Sequence, residues 1–114
     1  MEGADMPSSM LDKMALLTEV KSRLTPIYGD RLKGVVLFGS EAYGTSTPDS
    51  DVDILVLLDG NVNYGRDLLD NINALHPLSS RLGRRFSPKP VSLNEYENLQ
   101  CPLYLDAHVE GIRL

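Results

Sequence analysis

Apolar residues in the first part of the chain recur at steps of three and four, which is the spacing of one face of a helix. The residues that share this spacing are Met10, Met14, Leu17, Val20, Leu24 and Ile27. They predict a core-facing helix that begins near Ser9. Pro26 disfavours the helical conformation of the residue before it, so the helix is predicted to end near Leu24 or Thr25.

Two continuous apolar runs follow, and each has the length of a buried strand. The first run, residues 35–38, leads into Gly39 and Ser40. The second run, residues 52–58, begins directly after Asp51. We therefore predict two neighbouring strands whose ends carry small and acidic residues.

A third strand and further helices complete the pattern. Residues 86–93 are predicted to form the strand, and Pro88 and Pro90 place it at an edge of the sheet, because proline cannot donate a ladder hydrogen bond. In the last helix Leu105 and Val109 are predicted to face inward. Helices are predicted over residues 64–75, over residues 78–82, from a cap at Asn94 onward, and over residues 103–110.

The helix over residues 64–75 has its own apolar stripe. The residues of this stripe are Leu68, Leu69, Ile72 and Leu75. Asp67 and Asp70 are predicted to lie on the solvated face of the helix. The pair His76–Pro77 is predicted to interrupt it, since proline disrupts the helix interior.

Length and composition indicate one domain. The chain has 114 residues, of which 42% are hydrophobic, so we expect residues 1–114 to form a single domain with one core. Residues 1–8 are expected to be disordered. The net charge of -5 argues against general nucleic-acid binding, for which a basic surface is typical. The lone Cys101 fits a reducing cytoplasm, and no apolar segment is long enough to span a membrane.

Asp51 and Asp53 are the first candidates for chemistry. Side chains of a strand alternate between its two faces, so these two carboxylates project from the same face. Two ionised carboxylates on one face repel each other unless a cation lies between them. The pair therefore predicts a site for a hard divalent ion such as Mg²⁺, which prefers oxygen ligands.

Gly39 and Ser40 suit the binding of a phosphate. Glycine has no side chain and lets a ligand approach the backbone closely. Ser40 can cap a short helix around residues 41–43, whose first N–H groups would face the anion. A phosphate chain is thus expected between Ser40 and metal ions bound by Asp51 and Asp53.

The sequence Gly39-Ser40, ten residues, then Asp51-Val52-Asp53 resembles the signature of the nucleotidyltransferase fold of the DNA polymerase beta superfamily. Gly44 and Ser50 also lie where that signature favours them. In size the chain is similar to the minimal nucleotidyltransferase branch, whose members often pair as antitoxins with small helical HEPN-domain proteins. The resemblance implies an α/β fold, with a small mixed β-sheet and helices packed against it.

The resemblance also implies an activity, the transfer of a nucleoside monophosphate from an NTP, with ATP expected, to a hydroxyl group. Asp51 and Asp53 are the implied catalytic residues and the ligands of two Mg²⁺ ions. Gly39 and Ser40 are the implied nucleotide-binding residues. The acceptor is expected on a partner protein, first a HEPN-type helical protein, with a homo-oligomer as the second arrangement.

One departure from the family pattern concerns catalysis. The third strand of such enzymes usually carries another carboxylate, whereas residues 86–93 contain no acid and Ser87 is expected in its place. The metal ion that activates the acceptor would then be held loosely. The rival hypothesis is a module that binds NTP and a partner such as a HEPN toxin but transfers little or nothing.

Each of three polar features has two possible interpretations. Asp49 is either a third acid near the metals or, as favoured, a turn residue. Ser50 either orients a carboxylate or begins the strand. The basic cluster after the second long helix is either a solvated helix end, which is favoured, or a contact for a phosphate or an acidic partner. The members of this cluster are Arg81, Arg84, Arg85 and Lys89.

Overall fold

The strands form one mixed sheet with helices packed against it. The computed structural model describes residues 10–43, 47, 49–98, 104, 105, 107 and 111–114. The elements within them are α1 (Met10–Tyr28), β1 (Leu32–Phe38), α2 (Ser40–Tyr43), β2 (Val52–Leu58), α3 (Tyr64–Leu82), β3 (Phe86–Ser92), α4 (Leu93–Glu97) and β4 (Ile112–Arg113). The strand order is β3-β2-β1-β4, with β1 antiparallel to β2 and β4, and β3 parallel to β2. The predicted α/β fold with a mixed sheet is confirmed.

The two faces of the sheet are covered unequally. Helices α1 and α3 pack on one face and form the larger core, to which the strands contribute Val35, Leu37, Ile54, Val56 and Leu58. The other face carries a smaller cluster, made of Val36, Leu55, Leu57, Val91, Tyr96 and Ala107. Because strand residues alternate between faces, Asp51 and Asp53 share the less covered face with Leu55 and Leu57.

Both long helices continue past the prolines that were predicted to end or interrupt them. Pro26 lies inside α1 and Pro77 lies inside α3. The last turn of α1 is held by Tyr28, which is buried and whose hydroxyl donates to the backbone oxygen of Asp67 at 3.1 Å. Tertiary contacts thus outweigh the lost helical hydrogen bond, and the predicted helix ends were wrong.

The buried stripe of α3 also differs from the prediction. Leu69 and Ile72 are exposed, whereas Asp67 and Asn71 are buried. Asp67 accepts a hydrogen bond from the backbone N–H of Asn63 at 3.0 Å, so it completes the helix start rather than facing solvent. The helix therefore presents a partly polar face to the core, which the apolar spacing did not indicate.

Strand β3 lies at the edge of the sheet, as its prolines predicted. The side-chain amide of Asn71 in α3 donates to the backbone oxygen of Pro88 at 3.0 Å. The following helix, α4, is capped by Ser92, whose hydroxyl accepts from the N–H of Glu95, and not by Asn94 as predicted.

Burial was wrongly predicted for three apolar residues. Met10, Ile27 and Leu105 are exposed, although all three were predicted to face the core. Residues 1–8 and Val109 lie outside the described residues. In β4, Ile112 packs against the larger core. No helix among the described residues combines the length and the apolar character needed to cross a bilayer.

Candidate active site

The turn between β1 and α2 brings Gly39 against Asp53. Phe38, the last residue of β1, pairs with Asp53 in β2. Gly39 has a φ of +71°, and a Cβ built on it would lie 2.7 Å from Oδ2 of Asp53. Glycine is needed here both for the left-handed backbone and for the close approach. Ser40 follows as the first residue of α2.

Asp51 and Asp53 lie half-buried on one face of the sheet. Burial raises the pKa of Asp53, the charge of Asp51 raises it further, and Lys89 lowers it. The ionised form of Asp53 is therefore disfavoured until another cation relieves the desolvation and the repulsion. This pair has the electrostatics of a cation site.

The donor set fits an ion that is shared with a substrate. Within the described part of the chain, no third His, Cys, Asp or Glu joins Asp51 and Asp53 in a metal-binding cluster. Mg²⁺ typically takes one or two carboxylates and completes its coordination with water and substrate phosphates. The two aspartates and the bare backbone at Gly39 suit that mode of binding.

A Gly39→Ala substitution tests this geometry. The new Cβ must displace the Asp53 carboxylate, so we expect weaker Mn²⁺ binding together with a loss of stability. Gly60→Ala is the matched control, because Gly60 also has a positive φ, +81°, but a Cβ added to it would have no atom within 4 Å. The backbone strain that both variants share is about 1–2 kcal/mol. Equal Mn²⁺ affinity in the two variants would contradict the proposed contact.

Ser87 lies beside Asp53 on the neighbouring strand. The parallel register of β2 and β3 pairs Asp53 directly with Ser87. Strand β3 itself contains no carboxylate. The residue of β3 that lies opposite Asp53 therefore carries a hydroxyl and not a carboxylate.

The basic cluster matches the favoured interpretation, a solvated helix end, at Arg81 and Arg85, which are exposed, but not at Arg84, which is buried. Its three arginines pair with three different carboxylates: Arg81 with Glu19 at 2.6 Å, Arg84 with Glu41 at 3.0 Å and Arg85 with Asp51 at 2.9 Å. Two of these ion pairs connect the turn after α3 with the candidate site. Arg85 pairs with Asp51 itself, and the buried Arg84 pairs with Glu41 in α2.

Arg84 and Glu41 form a buried ion pair behind the site. Their side chains are 1% and 0% exposed. The guanidinium of Arg84 also donates from Nε and Nη2 to the backbone oxygen of Ser50, at 3.0 and 2.7 Å. One side chain therefore fixes both α2, which begins at Ser40, and the residue that precedes Asp51. Sequence reasoning missed this pair, because no local spacing connects residues 41 and 84.

Ser50 and Asp49 lie in the turn before β2. The hydroxyl of Ser50 accepts a hydrogen bond from the N–H of Thr47 at 3.0 Å, which closes the turn rather than orienting a carboxylate. Asp49 is exposed in the same turn. The favoured interpretation of Asp49 as a turn residue is confirmed, and Gly44 lies outside the described residues.

Comparison with known proteins identifies the family. A family model described as nucleotidyltransferase domain matches residues 13–106. The chain belongs to the nucleotidyltransferase domain family. This nucleotidyltransferase domain is 40% identical over 52 residues to a protein of Methanocaldococcus jannaschii that is named by inference as a protein adenylyltransferase. The match covers 46% of this chain and 52% of the relative, so the chain spans about half the length of that protein.

Solved structures have the same fold as this nucleotidyltransferase domain. A protein from Sulfolobus solfataricus, described by inference as a nucleotidyltransferase, has a TM-score of 0.55 at 19% identity, over 98% of this chain and 87% of that one. A mutant form of the toxin–antitoxin complex MntA–HpeT has a TM-score of 0.54 at 22% identity, over 85% of this chain and 69% of that one. At these identities the likeness concerns the fold.

Proposed function

We propose that this nucleotidyltransferase domain transfers a nucleoside monophosphate from an NTP, with ATP preferred, to a hydroxyl group. The observation that carries the proposal is the contact between Gly39 and Asp53, with Asp51 beside it on the same sheet face. This arrangement supports Mg²⁺ binding by Asp51 and Asp53. It also supports binding of the triphosphate at Gly39 and Ser40.

The transfer exchanges one phosphorus–oxygen bond for another. The acceptor oxygen attacks the α-phosphorus, the bond from that phosphorus to its bridging oxygen breaks, and pyrophosphate leaves with the electron pair. The acceptor proton passes to solvent water. A bound divalent ion supplies charge neutralisation and polarises the phosphate. Asp51 and Asp53 fix the position of the reacting phosphate, and Gly39 leaves room for it.

The acceptor is proposed to belong to a partner protein. Two observations on relatives support this: one is named a protein adenylyltransferase, and one fold neighbour is part of a toxin–antitoxin complex. A helical protein of the HEPN type is the proposed partner, and this chain would act as its antitoxin. Homo-oligomerisation is the alternative arrangement.

A second candidate function is nucleotide and partner binding without transfer. The observation that favours it is that Ser87, and no carboxylate of β3, lies opposite Asp53. In that case the chain would neutralise its partner by contact alone. Incubation of the full chain with labelled ATP, Mg²⁺ and the protein encoded next to it separates the two functions.

Covalent label on the partner is the expected result, with mass spectrometry locating a nucleoside monophosphate on a side-chain hydroxyl. The control reaction contains an Asp51→Asn/Asp53→Asn variant, which should leave the partner unlabelled. A stable complex that never acquires label would favour the binding function. Label that persists with the double variant would refute the assigned site.

A further inference from the structure

The sheet face that holds Asp51 and Asp53 also carries two cations on the neighbouring strand. Ser87 pairs with Asp53 in the parallel register, and alternate residues of a strand share a face. Lys89 lies on that face two residues beyond Ser87, and Arg85 lies two residues before it. Ser87 thus lies between two cations, Arg85 just before β3 and Lys89 within it.

Both cations lie close to the candidate carboxylates. Nε of Arg85 is 2.9 Å from Oδ1 of Asp51. Lys89 and Asp53 are diagonal neighbours on adjacent strands, a separation that a long side chain spans. In agreement with this placement, the Lys89 charge lowers the pKa of Asp53 against the burial and the Asp51 charge that raise it.

Neither cation is committed to a strong internal partner among the described residues. The Arg85 and Asp51 side chains are 78% and 44% exposed, and an exposed ion pair of this kind stabilises little and exchanges partners readily. No described carboxylate lies within ion-pair distance of Lys89. Arg84, the residue before Arg85, differs from both cations, because its charge is buried against Glu41.

Lys89 also borders open space on the same side of the molecule. A cavity of about 430 Å³ runs along the end of β3 and includes Tyr64, Lys89 and Tyr104 in its wall. Because Lys89 is both a diagonal neighbour of Asp53 and part of the cavity wall, an elongated ligand that extends from the aspartates into the cavity would contact its side chain.

We propose that Arg85 and Lys89 bind the triphosphate of the nucleotide, and that they supply the positive charge that a second metal ion on a third carboxylate would supply. The inference rests on the proposed function. A triphosphate carries more negative charge than one divalent ion neutralises, and guanidinium and ammonium groups both bind phosphate well. Metal binding at Asp51 would release Arg85 toward the phosphates, so the site works with one ion.

Calorimetric titration of the full chain with ATP, with Mg²⁺ and in EDTA, tests the proposal. Arg85→Gln and Lys89→Met are each expected to weaken ATP binding roughly 10- to 100-fold, the effect of one charge-assisted hydrogen bond. Adenosine binding should not change, because the nucleoside has no phosphate. Lys33→Met and Arg66→Gln remove exposed cations elsewhere and should leave ATP binding unchanged.

Two further measurements have distinct expected results. In EDTA, Asp51→Asn should tighten ATP binding, because it frees Arg85 and removes a repelling carboxylate. Electron paramagnetic resonance of the wild-type ATP complex should count one bound Mn²⁺. Asp51→Asn should weaken ATP binding only when Mg²⁺ is present, and Lys89→Met should weaken the binding of ATP but not of adenosine. Together these results would assign the metal ion to Asp51 and the phosphates to Lys89.

The proposal is overturned if Arg85→Gln and Lys89→Met bind ATP like the wild type, or if they weaken adenosine binding equally. Two Mn²⁺ ions in the wild-type complex would also overturn it. If the wild type binds ATP with Mg²⁺ but these variants do not differ, the proposed function survives and only the triphosphate assignment fails. If the wild type binds no ATP under any condition, both fail together.

Discussion

An Asp51→Asn/Asp53→Asn variant loses nucleotidyl transfer by roughly 10³-fold or more, since removal of a single preorganised electrostatic group already costs about 10²–10³-fold. Mn²⁺ binding is lost with it, because the amides no longer neutralise the ion. The measurements are transfer of labelled nucleotide to the partner and Mn²⁺ titration. Asp59→Asn is the matched control, since Asp59 is exposed just beyond the opposite end of β2 and should leave both unchanged.

The same variant is expected to unfold no more easily than the wild type. The pKa of Asp53 is raised in the folded chain, first by burial and then by Asp51. A carboxyl whose folded-state pKa lies above its unfolded value destabilises the fold once it is ionised, so at neutral pH removal of the charge is favourable. A large drop in thermal stability would mean that the aspartates support the fold, and the activity loss would then say little about catalysis.

Arg84→Met destabilises the chain by about 3–5 kcal/mol, because it leaves the Glu41 carboxylate buried without its partner. That is a large share of the total stability of a small domain, which is about 5–15 kcal/mol. Urea unfolding followed by circular dichroism measures the difference. The backbone oxygen of Ser50 loses two donors at the same time, so any folded protein should also bind Mn²⁺ at Asp51 less well.

The double variant Glu41→Met/Arg84→Met is expected to recover most of that loss, since two apolar side chains of similar length replace the pair. Arg81→Met is the control for a broken ion pair that is not buried. Arg81 lies 2.6 Å from Glu19 with its side chain 57% exposed, so its loss should cost at most about 1 kcal/mol. A similar cost for Arg84→Met and Arg81→Met would contradict the role of burial.

The sequence predicted the fold and the parts of the candidate site that depend on local pattern. Gly39, Ser40, Asp51 and Asp53 follow from a fixed spacing between two apolar runs, and the strands bring Gly39 and Asp53 together. The pairing of Ser87 with Asp53 required the structure, because a predicted strand does not define its register with a neighbouring strand. The shared face of Asp51 and Asp53 needs only the alternation of strand side chains, whereas the fold and the activity were implied by the family resemblance.

Contacts between segments that are distant in sequence could not be predicted from local patterns. Asp67 and Asn71 satisfy polar groups of α1, β3 and the start of α3, so they are buried, whereas the apolar stripe predicted burial of Leu69 and Ile72. Arg84 looked like its exposed neighbours Arg81 and Arg85 until the fold placed Glu41 opposite it. Burial of polar groups depends on the partner that tertiary structure supplies, and a spacing rule cannot indicate it.

The backbone of β3 restricts how another protein can attach to this chain. The N–H of Val52 donates to the backbone oxygen of Arg85, so alternate residues from Arg85 onward direct their peptide groups toward β2. Pro88 and Pro90 fall on the outward positions, where they offer no N–H, and the outward oxygen of Pro88 is already bound by Asn71. An incoming strand would find no N–H donor at these two positions and would find the Pro88 oxygen already bound, so β-augmentation is disfavoured along the middle of this edge. The middle of this edge therefore favours recognition through side chains over the addition of a strand, and it protects the chain against edge-to-edge aggregation there.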